Sequence, residues 1–209
     1  MTRMSAGTVS ELRVAVTDPQ VIGRYRAHIK KGHPGQCWLW TGAISGHGHG
    51  RFHIASNYLL RPGGIRARVT YVVIAHRFGY ALLYGVDALL TVPVLAHCCD
   101  NPLCQNPGCW RESDPYANAR DYANRRHTVR GALTDTRGAR GRARAVRDAA
   151  RDGADVQGSG ARRVAARAPR PTRAVHSAGR DLMADLAVHP CRPRRIRWAP
   201  GSGTGEQFL

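Results

Sequence analysis

Lysine is nearly missing from this 209-residue chain: of its 32 basic residues only Lys30 and Lys31 are lysines, and just 14 acidic residues oppose them. The arginine bias, with abundant alanine and glycine, is what a GC-rich coding genome produces, so by itself it is no sign of arginine chemistry. The resulting formal charge of +18 favours a polyanionic partner, nucleic acid first, over a neutral metabolite.

Long apolar runs are lacking as well. The most apolar stretch, Val69 to Leu95, is broken by His76, Arg77 and Asp87, so no bilayer span and no membrane partner are expected. The opening residues carry Glu11, Arg13 and Asp18 early and do not have the order of a secretory signal. The chain therefore reads as soluble and cytoplasmic, bacterial or phage-encoded.

Aromatic residues are scarce after residue 130, where Trp198 and Phe208 stand alone. A segment so poor in core-forming side chains cannot offset its ordering entropy. The expected organisation is one domain of ordinary size over residues 1–130 and a basic tail over 131–209, largely disordered, with one basic helix from about Ala139 to Arg151. Each part holds 16 basic and 7 acidic residues, so the tail adds charge rather than a second fold.

Within the first part, Asp18-Pro19 is a helix cap followed by a proline at the first helical position, and the spacing of Val21, Ile22, Tyr25 and Ile29 predicts a helix over about 19–30. Short apolar runs around a glycine-rich turn, Cys37 to Ile54, predict a β-hairpin. A second helix is expected over about Thr70–Tyr84, ended by Gly85. Then come a strand over Val92–His97, a cysteine-rich loop, a short strand near Trp110, and a helix opened by Asp114-Pro115 and running to about Arg126.

Six cysteines in a reducing compartment suggest ligands rather than disulfides, and four of them crowd between Cys98 and Cys109. Cys99 and Cys104 are separated by the turn-forming Asp-Asn-Pro-Leu, and Cys109 follows another Asn-Pro turn. The competing reading is buried free thiols or an oxidised pair. Cys191, alone in the tail, reads as a bystander.

The segment His97-Cys98-Cys99-Asp100-Asn101-Pro102-Leu103-Cys104-Gln105-Asn106-Pro107-Gly108-Cys109-Trp110, with Asn118 one turn into the next helix, resembles the HNH endonucleases of the His-Me finger, or ββα-metal, superfamily. The likeness is to their His-Cys box homing branch and to related phage and bacterial HNH proteins. It extends over roughly Cys37 to Arg126, taking in Cys-Trp-Leu-Trp, Gly-Arg-Phe and Ala-His-Arg-Phe-Gly. One element departs: the family's last His is Cys109 here.

The resemblance implies an α+β fold with a ββα-metal core over residues 94–126, preceded by a helix and a hairpin. It implies a structural Zn2+ on Cys37, Cys99, Cys104 and Cys109, closed to solvent because all four positions are thiolate. Cys98 is left out, since the family ligand lies two residues after the His. It further implies His97 as general base and Asn118 as ligand of a catalytic Mg2+, replaceable by Mn2+. Asn106 is expected to orient the loop and help fix His97, or to be a plain Asx-turn residue. Arg66 or Arg68 would contact the scissile phosphate or an ordinary one. His76 reads as a core histidine outside the site, and His47, His49 and His53 as backbone contacts of a DNA-binding hairpin rather than a second metal site.

The function implied is metal-dependent hydrolysis of double-stranded DNA, with homing or mobile-element origin first, and a homodimer if both strands are cut. The rival readings are a zinc-stabilised DNA-binding module without cleavage, and a nuclease for RNA or single strands. The tail would add phosphate contacts or be a dispensable extension.

Overall fold

A computed structural model describes residues 4–32, 36–126 and 135–153. The tail beyond 153, with Cys191, lies outside these residues. The described residues are α+β, with six helices and small antiparallel sheets.

Helix α1 (Ala6–Ala15) starts where the Ser5 hydroxyl accepts from the Thr8 amide. Helix α2 (Pro19–Ala27) starts as its sequence predicts: the Asp18 carboxylate accepts from the Gln20 and Val21 amides, and Pro19 needs no partner at the first position. Its buried residues, Val21, Ile22 and Tyr25, form one face. Strand β1 (Ile29–Lys30) pairs with β2 (Leu39–Trp40).

Strand β3 (Ala43–Ile44) turns into β4 (Gly50–Arg61), which pairs with β5 (Ile65–Ile74) along a long hairpin. Here the sequence expectation is corrected. The helix expected to begin at Thr70 begins at Ala75, because Val69 to Ile74 is a run of β-branched and aromatic residues whose backbone pairs with Arg51 to Asn57. Helix α3 (Ala75–Tyr84) follows and stops at Gly85, whose φ of 89° is open only to glycine at little cost. Helix α4 (Val86–Leu90) then leads to strand β6 (Val94–His97).

A loop carrying the cysteines joins β6 to β7 (Trp110–Ser113), which pairs antiparallel with it and sets His97 opposite Trp110. The Asp114 carboxylate accepts from the Ala117 amide and opens α5 (Pro115–Arg126), which packs on β6. Helix α6 (Gly138–Arg151) falls where a basic helix is expected. It is docked: Ala143 and Ala150 are buried, and Ala150 sits in the cluster of Cys37, Leu39, Cys104 and Cys109.

The main core gathers Tyr25, Trp40, Phe52 and Phe78, with ring centroids 4.7–5.8 Å apart. The Tyr25 hydroxyl donates to Gln105 Oε1 at 2.9 Å, so α2 is bonded to the cysteine-rich loop. Gly79 on α3 permits this approach. A Cβ there would lie 2.6 Å from the Trp110 ring and closer still to the Tyr25 hydroxyl.

Candidate metal centre and histidine cluster

The β6–β7 loop folds around short local bonds. The Asn101 side chain accepts from the Leu103 amide at 3.1 Å, and the Asn106 side chain accepts from the Gly108 amide at 2.9 Å. These Asx turns replace regular structure with side-chain acceptors and aim Cys99, Cys104 and Cys109 at one point. Asn106 also donates to the Gln36 carbonyl at 2.8 Å, holding the residue before Cys37 against the start of the turn that leads to Cys109. Among the described residues no hydrogen bond joins Asn106 to His97.

The sulfurs of Cys37, Cys99, Cys104 and Cys109 all lie within 4.8 Å of one another. A tetrahedron with zinc–sulfur bonds of about 2.3 Å has edges of roughly 3.8 Å, so the four can hold a metal such as zinc. Three are buried and Cys99 is half-buried. Their protonation is divided: S–H donation from Cys104 and Cys109 pulls the Cys37 and Cys99 thiols below the usual range, while burial pushes Cys104 well above it. Four thiolates cannot share so small a volume without a cation to balance them. Cys98 stays outside this group; its sulfur lies 3.9 Å from the Gly108 carbonyl.

Helix α6 closes the centre from outside. Lys30 Nζ donates to the Ala150 carbonyl at 2.9 Å, in the last turn where a cation is favoured, and Arg151 Nε donates to the Thr41 carbonyl at 2.9 Å. At the other end, Gly48 lets α6 approach: a Cβ there would meet the Ala139 carbonyl oxygen at 2.7 Å. Asp100, bonded to Arg125 at 2.7 Å, is raised to about 6 by burial against the opposing pull of that arginine.

His97, at the end of β6, is half-buried and within 3.0 Å of the Cys104 carbonyl through Nε2. A carbonyl only accepts, so Nε2 carries the proton and Nδ1 is left with a lone pair. The same carbonyl accepts from Trp110 Nε1 at 3.2 Å. Burial first, and His49 in addition, hold the His97 pKa below the usual imidazole range, against an upward pull from Cys99. The ring is therefore neutral near pH 7.

Two further imidazoles lie against it, which the sequence reading placed elsewhere. The His76 ring is centred 4.4 Å from His97, and the His49 ring 5.6 Å from His76 and 6.3 Å from His97. His76 is 3 % exposed and is indeed a core residue, but only half satisfied: Nε2 donates to the Leu95 carbonyl at 3.2 Å and Nδ1 has no partner. Burial lowers its pKa well below the usual value; burial also lowers that of His49, with the nearby His47 adding to the effect. His47 itself is exposed and His53 bonds Ser56 at 2.8 Å, so the three hairpin histidines do not form one group. The register of β4 on β5, which carries Arg51 opposite Ile74 just before α3, brings His49 to His76. Nothing in the spacing of Gly-His-Gly-His-Gly reveals that pairing.

Asn118 lies in the first turn of α5, half-buried, its amide bonded to the Asp114 carbonyl and its carboxamide without a partner among the described residues. Arg66 and Arg68 are exposed on β5, opposite Leu60 and Tyr58. Arg66 stacks over the Tyr58 ring and Arg68 donates to Ser56. At roughly 3.3 Å per residue they stand about 20–26 Å along the strand from Ile74, so the structure does not bring them to the histidines. No described helix is long and apolar enough to cross a membrane. No family model, no curated protein and no solved structure matches the chain.

Proposed function

We propose that this chain is a metal-dependent endonuclease of the HNH type, cutting phosphodiester bonds of double-stranded DNA, with β6, β7 and α5 as its ββα-metal core. The observation that carries the reading is the tautomer of His97. A general base for water needs a neutral ring with a free lone pair and a fixed N–H on the other side, and the Cys104 carbonyl imposes that state. The base is thus held by the backbone of a residue that also lines the cysteine cluster.

In this reading the four cysteines hold a structural Zn2+, and the small, sulfur-lined, mostly buried space fits that ion. Asn118 offers one hard oxygen of the kind Mg2+ accepts and would hold that ion, which when bound would supply charge neutralisation at the scissile phosphate and leaving oxygen. His97 Nδ1 takes the proton of the attacking water. The Cys104 carbonyl then faces an imidazolium and stabilises it through the same hydrogen bond. Leu95 and Cys104 carbonyls fix His76 and His97 in orientation, and both rings stay uncharged until a proton is taken up. The exposed β4–β5 hairpin, with Arg61, Arg66 and Arg68, is suited to backbone phosphates away from the scissile bond.

The test is cleavage of supercoiled plasmid by the zinc-loaded chain and by His97→Ala, each with Mg2+ and with EDTA. Mg2+-dependent nicking or linearisation by the wild type, reduced at least 100-fold in the variant, is expected. Equal cleavage by both removes the mechanism. Binding without cleavage by either points to the non-catalytic module, and single strands or RNA cut faster than duplex reassigns the substrate.

A further inference from the structure

Past Asn57, whose side chain donates to Glu11 of α1, the β4–β5 ribbon loses its cover. Every residue from 58 to 66 is exposed, and large apolar side chains gather there: Tyr58, Leu59, Leu60 and Ile65, with Leu60 74 % and Ile65 64 % exposed. The other exposed large apolar side chains of the described residues, Val14, Leu90, Tyr116 and Tyr122, are spread over α1, α4 and α5. The tip is narrow. The Gly64 amide closes a turn on the Arg61 carbonyl at 3.1 Å, Gly63 and Gly64 have φ of 87° and 76°, and a Cβ on either would meet nothing within 4 Å. Residues directly opposite in an antiparallel pair share a face, so Tyr58 and Leu60 lie with Arg66 and Arg68 on one side, and Leu59 and Ile65 with Arg61 on the other. Arginine thus stands beside apolar groups on both faces, and residues 57–69 hold no acid. An exposed apolar group gathered in this way marks an interaction site.

We infer that the ribbon tip is a wedge for duplex DNA, in which Leu60 and Ile65 enter between neighbouring base pairs and kink the duplex. A polyanion bound by charge alone needs no exposed leucine or isoleucine. On a duplex the phosphates line the outside, and the broad apolar surfaces are the faces of stacked base pairs, reached when a side chain prises one step apart. A wedge must be apolar on both sides, because it meets a base pair on each, and both faces of this tip are. The interleaving of charge also distinguishes the partner. Arg61 and Arg66 adjoin Leu60 and Ile65 in the chain, so sinking the apolar pair into a bilayer would drag two guanidiniums into hydrocarbon, whereas DNA sets phosphates close beside its base faces. A second copy of the chain is opposed by charge, since each tip brings three arginines in a chain of formal charge +18. The inference deepens the endonuclease reading and rests on it for the choice of duplex DNA among polyanions.

The probes are a short duplex of arbitrary sequence and the same duplex with a few unpaired bases at its centre, each with a donor and an acceptor dye at its ends, titrated in EDTA with the full zinc-loaded chain. A step already broken spares the wedge the cost of unstacking, a few kcal/mol per step. The wild type should bind the interrupted duplex on the order of tenfold more tightly than the continuous one and bring the dyes closer in both. Leu60→Ser combined with Ile65→Ser should bind the two duplexes equally and leave the dye separation of the continuous one unchanged. Its salt dependence should match the wild type, because every arginine is kept. Leu90→Ser, which alters an exposed apolar residue of α4, should behave as wild type. Zinc content and circular dichroism check that the variants fold, and Leu60→Thr with Ile65→Thr, which keeps β propensity, replaces the serine pair if that pair loosens the ribbon.

Equal binding of the two duplexes by the wild type, or a preference that survives in the double variant, overturns the inference. Binding to phosphatidylserine vesicles, or self-association in sedimentation, that is lost in the double variant while duplex binding and bending are unchanged overturns it in favour of that occupant. Plasmid cleavage with Mg2+ separates the two readings. Tip-dependent bending without any cleavage keeps the wedge and removes the endonuclease, whereas His97-dependent cleavage with no effect of the double variant on bending or preference removes the wedge alone.

Discussion

Acidification should weaken this fold through His76, by an amount that follows from its burial. The ring is 3 % exposed, donates through Nε2 to Leu95, and has a pKa well below the ordinary imidazole value near 6.5. The unfolded chain therefore binds a proton in a range where the folded chain does not. A group with a depressed folded pKa that is neutral when folded contributes stability present above the unfolded value and lost as pH falls below it. Between pH 7.5 and 5.5 the loss for one such histidine is about 1.4 kcal/mol, worth roughly 4 °C in melting temperature for a domain of this size. His49 and His97 shift the same way and add to it. A metal bound by the four cysteines would also be lost in acid, so the comparison that isolates His76 is the difference between wild type and His76→Gln, in which any metal contribution cancels. Melting curves at both pH values, with zinc in excess, should show the variant losing about 1.4 kcal/mol less than the wild type over the interval. The same pH dependence in both proteins would refute the argument.

Three other perturbations follow from the same structure. Removing metal with a chelator, or replacing Cys104 by Ser, should abolish near-ultraviolet circular dichroism, because a structural zinc contributes roughly 10–16 kcal/mol, comparable to or more than the whole stability of an ordinary domain; an unchanged spectrum at zero zinc content would contradict this. Gly79→Ala drives a methyl into Tyr25 and Trp110 and should cost about 1–3 kcal/mol in denaturant melts, whereas Gly23→Ala on α2, where nothing lies within 4 Å, should be neutral or mildly stabilising. Ala150→Asp places a carboxylate against the thiolates and should release α6, seen as rapid amide exchange over Gly138–Arg151, while exchange in α2 and α3 stays slow.

Local chemistry was legible in the sequence where a single residue settles the backbone. Asp18-Pro19, Gly85 and Asp114-Pro115 each mark a boundary because the cap or the fixed φ acts within one turn, and the structure puts helix limits there. The strand over 65–74 was missed because Val69 to Ile74 carries an apolar pattern compatible with either period, and only its pairing with β4 decides. The cysteine group was legible as a candidate ligand set because turn residues fix the spacing of Cys99, Cys104 and Cys109, while Cys37 was reached only through the family resemblance. The histidine cluster was not. His49, His76 and His97 are separated by 27 and 21 positions and meet only through the register of β3, β4 and β5 and the placement of α3, a long-range outcome that no local rule encodes.

The role of α6 shows how a segment with almost no core-forming residues can still be held. Its buried positions are alanines, Ala143 and Ala150, which bring little apolar area and could not fold a domain alone. What they allow is close approach: the helix backbone lies against Gly48 at one end and the cysteine cluster at the other, and its last carbonyls are taken by Lys30 while Arg151 reaches Thr41. The surface that receives it exists only if Cys37 and the β6–β7 loop are fixed together, by Asn106 to Gln36 and by the convergence of the four sulfurs. The docked helix leaves Arg140 and Arg144 exposed on its outer side. Low composition in core residues therefore carried no information about a helix that is held by the cysteine cluster and the glycine beneath it.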